Sequence, residues 1–291
     1  MTEEQPLGSG EVKFFTIPVY GRRQAEVVPL RLSPTAVSTF RQCRQLYKFL
    51  YIDKLGDQYS RPRPYYTMAN HVHAALKDFF SLWPLERRTT EAMEDFLRQN
   101  WRRYQTGFKN SKDERRWAEK ALAQVRAFVL NHDVSCQPLM LEELVEAQIT
   151  PGVVLRGRVD RVDRESDGSL HIIDYKTGNV PAELDWMQLE LHALALSRRL
   201  PSPVLRLSYL YLGPSVLHSV ELPPGRLDEV RWEVLTVARK VRRERHYRPR
   251  PGRWCGNCDF RTICPRGAAI ESAAAAEGQL ELWDDLDNDW T

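Results

Sequence analysis

Two short stretches carry the residues best suited to chemistry: Gly157-Arg158-Val159-Asp160-Arg161-Val162-Asp163 and Ile172-Ile173-Asp174-Tyr175-Lys176-Thr177-Gly178. Side chains of a strand alternate between its two faces, so Asp174 and Lys176 share one side while Ile173 and Tyr175 enter the other. By the same rule Arg156, Arg158 and Asp160 share a face. A turn at Asp167-Gly168 joins the two stretches, so neighbouring strands can bring Asp160, Asp174 and Lys176 around one point. Two carboxylates with a nearby ammonium suit phosphodiester hydrolysis. Hard oxygen ligands hold Mg²⁺ or Mn²⁺, the metal polarises the phosphate, and its bound water becomes the nucleophile. The lysine lowers the pKa of that water or stabilises charge developing on the phosphate. The alternative from the residues alone is a salt-bridged polar strand pair ending in a Thr-Gly turn.

A second constellation is made of cysteines. Cys255-Gly256-Asn257-Cys258 precedes Cys264-Pro265, and Cys43 lies far upstream. The N-terminus has no basic segment followed by an apolar run, and no apolar stretch approaches membrane-spanning length, so a cytosolic, reducing setting is expected. There, clustered cysteines read first as metal ligands rather than disulfides. Four thiolates can hold a [4Fe-4S] cluster or a tetrahedral zinc, and the spacing leaves both open. Cys136 lies outside this set and is expected to be a free, at least partly buried thiol.

Charge is segregated rather than large. The formal net charge is only +3. Arg242, Arg243, Arg245 and Arg248 crowd one stretch, with His246, Tyr247 and Trp254 among them; basic groups for phosphates and aromatic faces for unstacked bases fit a single-strand channel. The other reading of this stretch is a solvated helix face. Asp284, Asp285, Asp287 and Asp289 crowd the C-terminus, in a tail expected to be flexible.

The elements that must position these residues follow from periodicity. Residues 1–31 suggest a short strand or hairpin, broken by Pro18, Gly21 and Pro29. Ser33 and Pro34 signal a helix start, and Val37, Phe40, Leu46, Phe49 and Leu50 follow at helical spacing, with Cys43 riding on that helix. Helical pattern continues, with interruptions, to about residue 131. Strands are predicted over 139–150, 153–162 and 170–175, then a helix over 183–200, strands over 205–212 and 216–222, and a long helix over 227–245. This is an α/β order with a mixed sheet. One body is expected over 32–267, with a helical part (32–135), a sheet core (139–245) and a loop carrying the three late cysteines (250–267); 268–291 form the tail. No phosphate-binding G-x-x-x-x-G-K-[ST] loop is present, so nothing points to an ATP-driven motor.

The two carboxylate stretches resemble the second and third nuclease motifs of the RecB-like branch of the PD-(D/E)XK superfamily, which includes CRISPR-associated single-strand exonucleases and AddB nuclease domains. The resemblance implies a restriction-endonuclease-like core with a mixed central sheet, an N-terminal helical insertion and a four-cysteine metal clasp. It implies that Asp160, Asp174 and the backbone carbonyl of Tyr175 are metal ligands and that Lys176 is the catalytic lysine. The family's upstream histidine ligand corresponds to His73, although Ala69 replaces the usual glycine before it. Its Gln-x-x-x-Tyr helix motif corresponds to Gln188 and His192, with histidine in place of tyrosine. Glu146 stands where the family often has a glutamate, with no role assigned.

The singleton-plus-three cysteine pattern is similar to the iron-sulfur clasp of these exonucleases, zinc remaining the alternative. In the tail, Gln279-Leu280-Glu281-Leu282-Trp283 resembles the motif with which bacterial proteins dock on the sliding clamp, Gln279, Leu280, Leu282 and Trp283 being its anchors. The expected activity is metal-dependent cleavage of DNA, single-stranded or end-processed, in repair, recombination or CRISPR adaptation. The competing readings are a catalytically silent DNA-binding subunit with the same fold and cluster, and a structural adaptor that brings a partner to the clamp.

Overall fold

A computed structural model describes residues 28–267. Most of the hairpin expected over 1–31, and the tail with Gln279, Leu280, Leu282 and Trp283, lie outside the described residues. Strand β1 (Leu30–Leu32) leads into helix α1 (Pro34–Gln42), where Ser33 accepts the Ala36 amide at 3.0 Å and Pro34 fills the first helical position. The helical spacing up to Leu50 is not one helix. Cys43 is extended (φ −151°, ψ 115°) and separates α1 from α2 (Arg44–Tyr47), which runs on as a π-helical turn (Lys48–Ile52). Cys43 is therefore a joint rather than a rider, and the bend lets Phe40 and Tyr47 pack edge to face with centroids 5.1 Å apart.

After α3 (Gly56–Tyr59), three long helices follow: α4 (Pro64–Phe80), α5 (Thr90–Trp101) and α6 (Ser111–Asn131). They form one layer. Met68, Val72, Leu76 and Phe79 of α4 meet Leu97, Val125 and Phe128, and together they cover Ile173, Tyr175 and Leu210 on one face of the sheet.

The sheet comprises β1, β2 (Met140–Thr150), β3 (Val153–Arg164), β4 (Leu170–Lys176), β5 (Val204–Tyr211) and β6 (Val216–Glu221). Its order is β1-β3-β4-β5-β6, with β2 also paired to β3; β1–β3 and β4–β5 are parallel and the other pairs antiparallel. Gly168 supplies the left-handed residue (φ +84°) of the turn between β3 and β4. The opposite face is covered by α1, α7 (Met187–Ser197) and α8 (Arg226–Arg243). Leu189, Leu191, Leu194 and Leu196 are all buried and leave α7 on opposite sides, as befits a helix enclosed by sheet and α8.

One irregularity of the sheet makes the site. β3 and β4 pair only from Arg161↔Ile173 to Arg164↔Leu170 and then diverge. Past that point β4 keeps pairing with β5, through Asp174↔Tyr209 and Lys176↔Tyr211. The splay opens a notch, and in place of a ladder bond the Tyr175 amide donates to Asp160 Oδ2 at 2.9 Å.

The segment after α8 returns to the N-terminal helices. Phe260 stacks on Phe49 (5.3 Å) and meets Tyr59 (5.8 Å), while Asp259 accepts from the Arg61 amide and pairs with Arg63. Among the described residues no helix is long and apolar enough to cross a membrane.

Candidate active site

The notch is the floor of a hollow of about 610 Å³ walled by α4, β2, β3, β4 and the start of α7. It brings together His73, Asp160, Asp174, Lys176 and Gln188, the residues singled out in the sequence. Asp174 and Lys176 project together from β4, as alternation requires, and both are buried. Lys176 Nζ lies 2.9 Å from Asp174 Oδ2, at an angle that leaves this oxygen without a hydrogen-bond donor, and donates to Gln188 Oε1 at 3.1 Å. Gln188 Nε2 donates to Asp174 Oδ1 at 2.7 Å. One amide thus braces both groups. Burial and the charge of Asp160 push the Asp174 carboxyl up to about 6.

His73 enters from α4. Its Nδ1 lies 3.0 Å from Glu142 Oε1 and 3.5 Å from Asp160 Oδ2, and its Nε2 donates to the Tyr175 carbonyl at 3.1 Å. Burial opposes its protonation, but Asp160 and Glu142 overcome that and hold the imidazole well above its usual pKa. Burial likewise opposes ionisation of Asp160, which His73 and the Tyr175 amide outweigh, drawing it below the usual range.

Glu142 is not among the sequence candidates. Its signal is hidden in the register: Leu141↔Arg161 and Glu143↔Val159 place Glu142 opposite Asp160, at a strand position with left-handed backbone (φ +49°). Glu146 instead pairs with Arg31 at 2.6 Å. The ligand atoms of His73, Glu142 and Asp160 all fall within 4.8 Å of one another. Together with the donor-free oxygen of Asp174, they make a hard, mostly anionic set that fits a divalent cation.

His192, four residues after Gln188 on α7, is placed differently from it. It is buried and does not line the hollow; burial lowers its pKa to about 4, so it is neutral, and its Nδ1 has no partner. Its ring lies against Gly157, where an added Cβ would come within 2.6 Å of Nε2. Gly157→Ala is therefore expected to destabilise the fold by about 1–3 kcal/mol through overpacking. Urea denaturation checks this, with His192→Ala in the same chain recovering part of the loss.

The arginine-rich stretch does not form one surface. Arg242 donates to the Gly152 carbonyl at 2.6 Å and clamps the β2–β3 turn, and Tyr247, at φ +45°, packs against the core. Arg243 and Arg245 line a separate basic hollow with Arg44, Arg239 and Lys240, and Arg248 lines the groove beside it, between α1 and α8. None of them borders the hollow above the notch.

Cys43, Cys255, Cys258 and Cys264 are gathered at one place. Burial raises the Cys255 thiol, and the nearby Cys43 and Cys264 add to the rise; burial pushes Cys258 up to about 11, with Cys255, Cys264 and Cys43 contributing. Cys136 stands apart, partly buried and facing Arg161 Nη2 at 2.8 Å, its thiol raised by burial to about 11.

The family model of the PD-(D/E)XK nuclease superfamily matches residues 31–265. One subunit of the ATP-dependent helicase/deoxyribonuclease of Streptococcus mutans is 30% identical over 155 residues, which is 51% of this chain and 14% of that protein. The protein of the same name from Streptococcus agalactiae serotype Ia is 29% identical over 167 residues, 55% of this chain and 15% of that protein. The matched part is thus about one seventh of either relative. A crystal structure of a candidate exonuclease from Eubacterium rectale superposes with a TM-score of 0.49 at 11% identity, over 86% of this chain and 92% of that one.

Proposed function

The chain belongs to the PD-(D/E)XK nuclease superfamily, and on that premise we propose that it hydrolyses phosphodiester bonds of DNA, single-stranded or end-processed, with a divalent cation in the notch. The observation that carries this reading is the joint placement of His73, Glu142, Asp160, Asp174 and Lys176 on the floor of one open hollow. His73, Glu142, Asp160 and Asp174 would hold Mg²⁺ or Mn²⁺, and the Tyr175 carbonyl beside His73 is the further ligand. A cation there supplies Lewis acidity to the phosphate and to an attacking water.

The protein's own groups do the rest. Lys176 Nζ, held by Gln188 Oε1, presents a fixed positive charge to the phosphate oxygens. Gln188, anchored on α7, fixes the orientation of Asp174 as well, so both reacting sides are set before substrate arrives. Arg158 donates to the Glu142 carbonyl at 2.8 Å and holds that strained residue in place.

Protons and the cation compete for the same atoms. Asp174 must be ionised and His73 neutral for the set to bind metal, so affinity for Mn²⁺ is expected to rise with pH from 5 to 8. The loss should approach tenfold per pH unit for each proton displaced. Calorimetric titration across that range checks the sign; affinity that strengthens toward acid pH would contradict it.

Residues 32–267 form the nuclease body in this reading, with the tail outside it, and Cys43, Cys255, Cys258 and Cys264 hold a [4Fe-4S] cluster that fastens its two ends. Tetrahedral zinc held by the same four thiolates is the alternative occupant. The relatives' name, helicase/deoxyribonuclease, supports DNA as substrate. Arg243, Arg245 and Arg248 extend contact to the strand outside the hollow, whereas Arg242 and Tyr247 serve the fold. Docking of the tail on a sliding clamp through Gln279, Leu280, Leu282 and Trp283 is the further partner proposed. The deciding assay is degradation of labelled DNA with Mg²⁺ or Mn²⁺; a protein that binds DNA and leaves it intact would be the silent subunit.

A further inference from the structure

Helix α4 carries more than His73 toward the hollow. Tyr66, Asn70, His73 and Lys77 recur at intervals of four, three and four, a single helical stripe, and all four line the hollow. Tyr66 is 47% exposed and is braced from behind by Tyr65, with ring centroids 4.4 Å apart. Lys77 is exposed, as is Arg103, which also lines the hollow from the segment after α5, and among the described residues neither makes an ion pair. At 1.5 Å per residue, the Tyr66 ring stands roughly 10 Å to one side of His73 along the axis and Lys77 about 6 Å to the other.

We infer that this face of α4 is a rail for an unpaired DNA strand: Tyr66 stacks on a base within a nucleotide or two of the cleaved bond, while Lys77 and Arg103 neutralise flanking phosphates. A base can lie flat on Tyr66 only if it has left its partner, since every base has a face but a duplex conceals it. The carboxylates lie deep, with side-chain exposures of 11% for Asp160 and 5% for Asp174. A stiff duplex does not bend its backbone into such a recess without cost, whereas a single strand does so readily. Asn70, between the ring and His73, is placed to hydrogen-bond the sugar-phosphate link. The inference rests on the nuclease reading and adds to it the residues that select the unpaired strand.

Fluorescence anisotropy with labelled 20-mers, unpaired or as blunt duplex, tests it on the full chain with Ca²⁺ in place of Mg²⁺. Tyr66→Ala should weaken unpaired binding about tenfold, Tyr66→Phe should restore it, and duplex binding should change less than about twofold. The Lys77→Ala, Arg103→Ala double variant should lower the salt slope by about 1.4, near 0.7 per lost phosphate contact. Tyr66→Ala that binds the unpaired strand as wild type does, or that weakens duplex equally, overturns the rail. A wild-type chain that cuts neither DNA with Mn²⁺ fails the nuclease reading itself. A wild type that cuts while Tyr66→Ala binds normally fails the rail alone.

Discussion

Lys176→Ala should lower DNA hydrolysis on the order of a hundredfold or more, the usual cost of removing one preorganised transition-state contact. The expectation follows from where the ammonium sits: 2.9 Å from Asp174 and 3.1 Å from Gln188, within the hollow but not among the atoms suited to grip the cation. Mn²⁺ affinity of the variant should stay comparatively close to wild type. Asp174→Asn keeps the shape, and its side-chain oxygen can still accept from Gln188, but it removes an anionic ligand. It should therefore lose activity and metal affinity together. The two variants distinguish a group that acts on the phosphate from one that acts on the cation. Equal rates for Lys176→Ala and wild type, at matched metal occupancy, would remove the lysine from the chemistry.

The second large effect is expected at Cys43. Cys43→Ser should abolish visible absorption, strip iron and sulfide from the purified protein, and lower Tm by on the order of 10 °C or more, because the free energy of binding such a group is also free energy of folding. Cys258→Ser should behave alike, since Cys258 lies beside Cys255, Cys264 and Cys43. Cys136→Ser is the internal control. It contacts Arg161 rather than the other sulfurs and should leave the absorption untouched. Equimolar zinc without iron or sulfide in the wild type would replace the cluster by the smaller ion.

The parts of the fold and site that are legible in the sequence are those governed by local periodicity. Asp160, Asp174 and Lys176 can be assigned to one point because a strand alternates strictly and Asp167-Gly168 announces the hairpin. Glu142 cannot. A tight turn at Pro151-Gly152 sets Thr150 opposite Val153, and counting back from there pairs Glu142 with Arg161. The irregularity between Gln148 and Thr150 shifts the register by one and delivers Glu142 to Asp160 instead.

The arginine cluster misleads for a related reason. Residues adjacent in sequence point about 100° apart on a helix, and α8 stops at Arg243, so Arg242, Arg243, Arg245 and Arg248 leave in different directions. Tyr66, Lys77 and Arg103 are scattered over a helix and a loop, and no linear pattern marks them as neighbours. Cys43 reads as a helix-interior residue because apolar spacing carries through it. Only the extended backbone at that residue shows the joint.

The return of the last segment onto the first helices has a consequence for biosynthesis. Phe49 and Tyr59 leave the ribosome roughly 200 residues ahead of Phe260 and Asp259, the groups that cover them and their neighbours. At 5–20 residues per second, that interval is on the order of 10–40 s. Until it elapses, this aromatic surface stays uncapped in the nascent chain, whatever the helices around it have achieved. Emergence of Asp259 and Phe260 from the ribosome, rather than collapse of the sheet, then sets the earliest moment of sealing, and chaperone custody of the emerging helices is the natural companion of that delay.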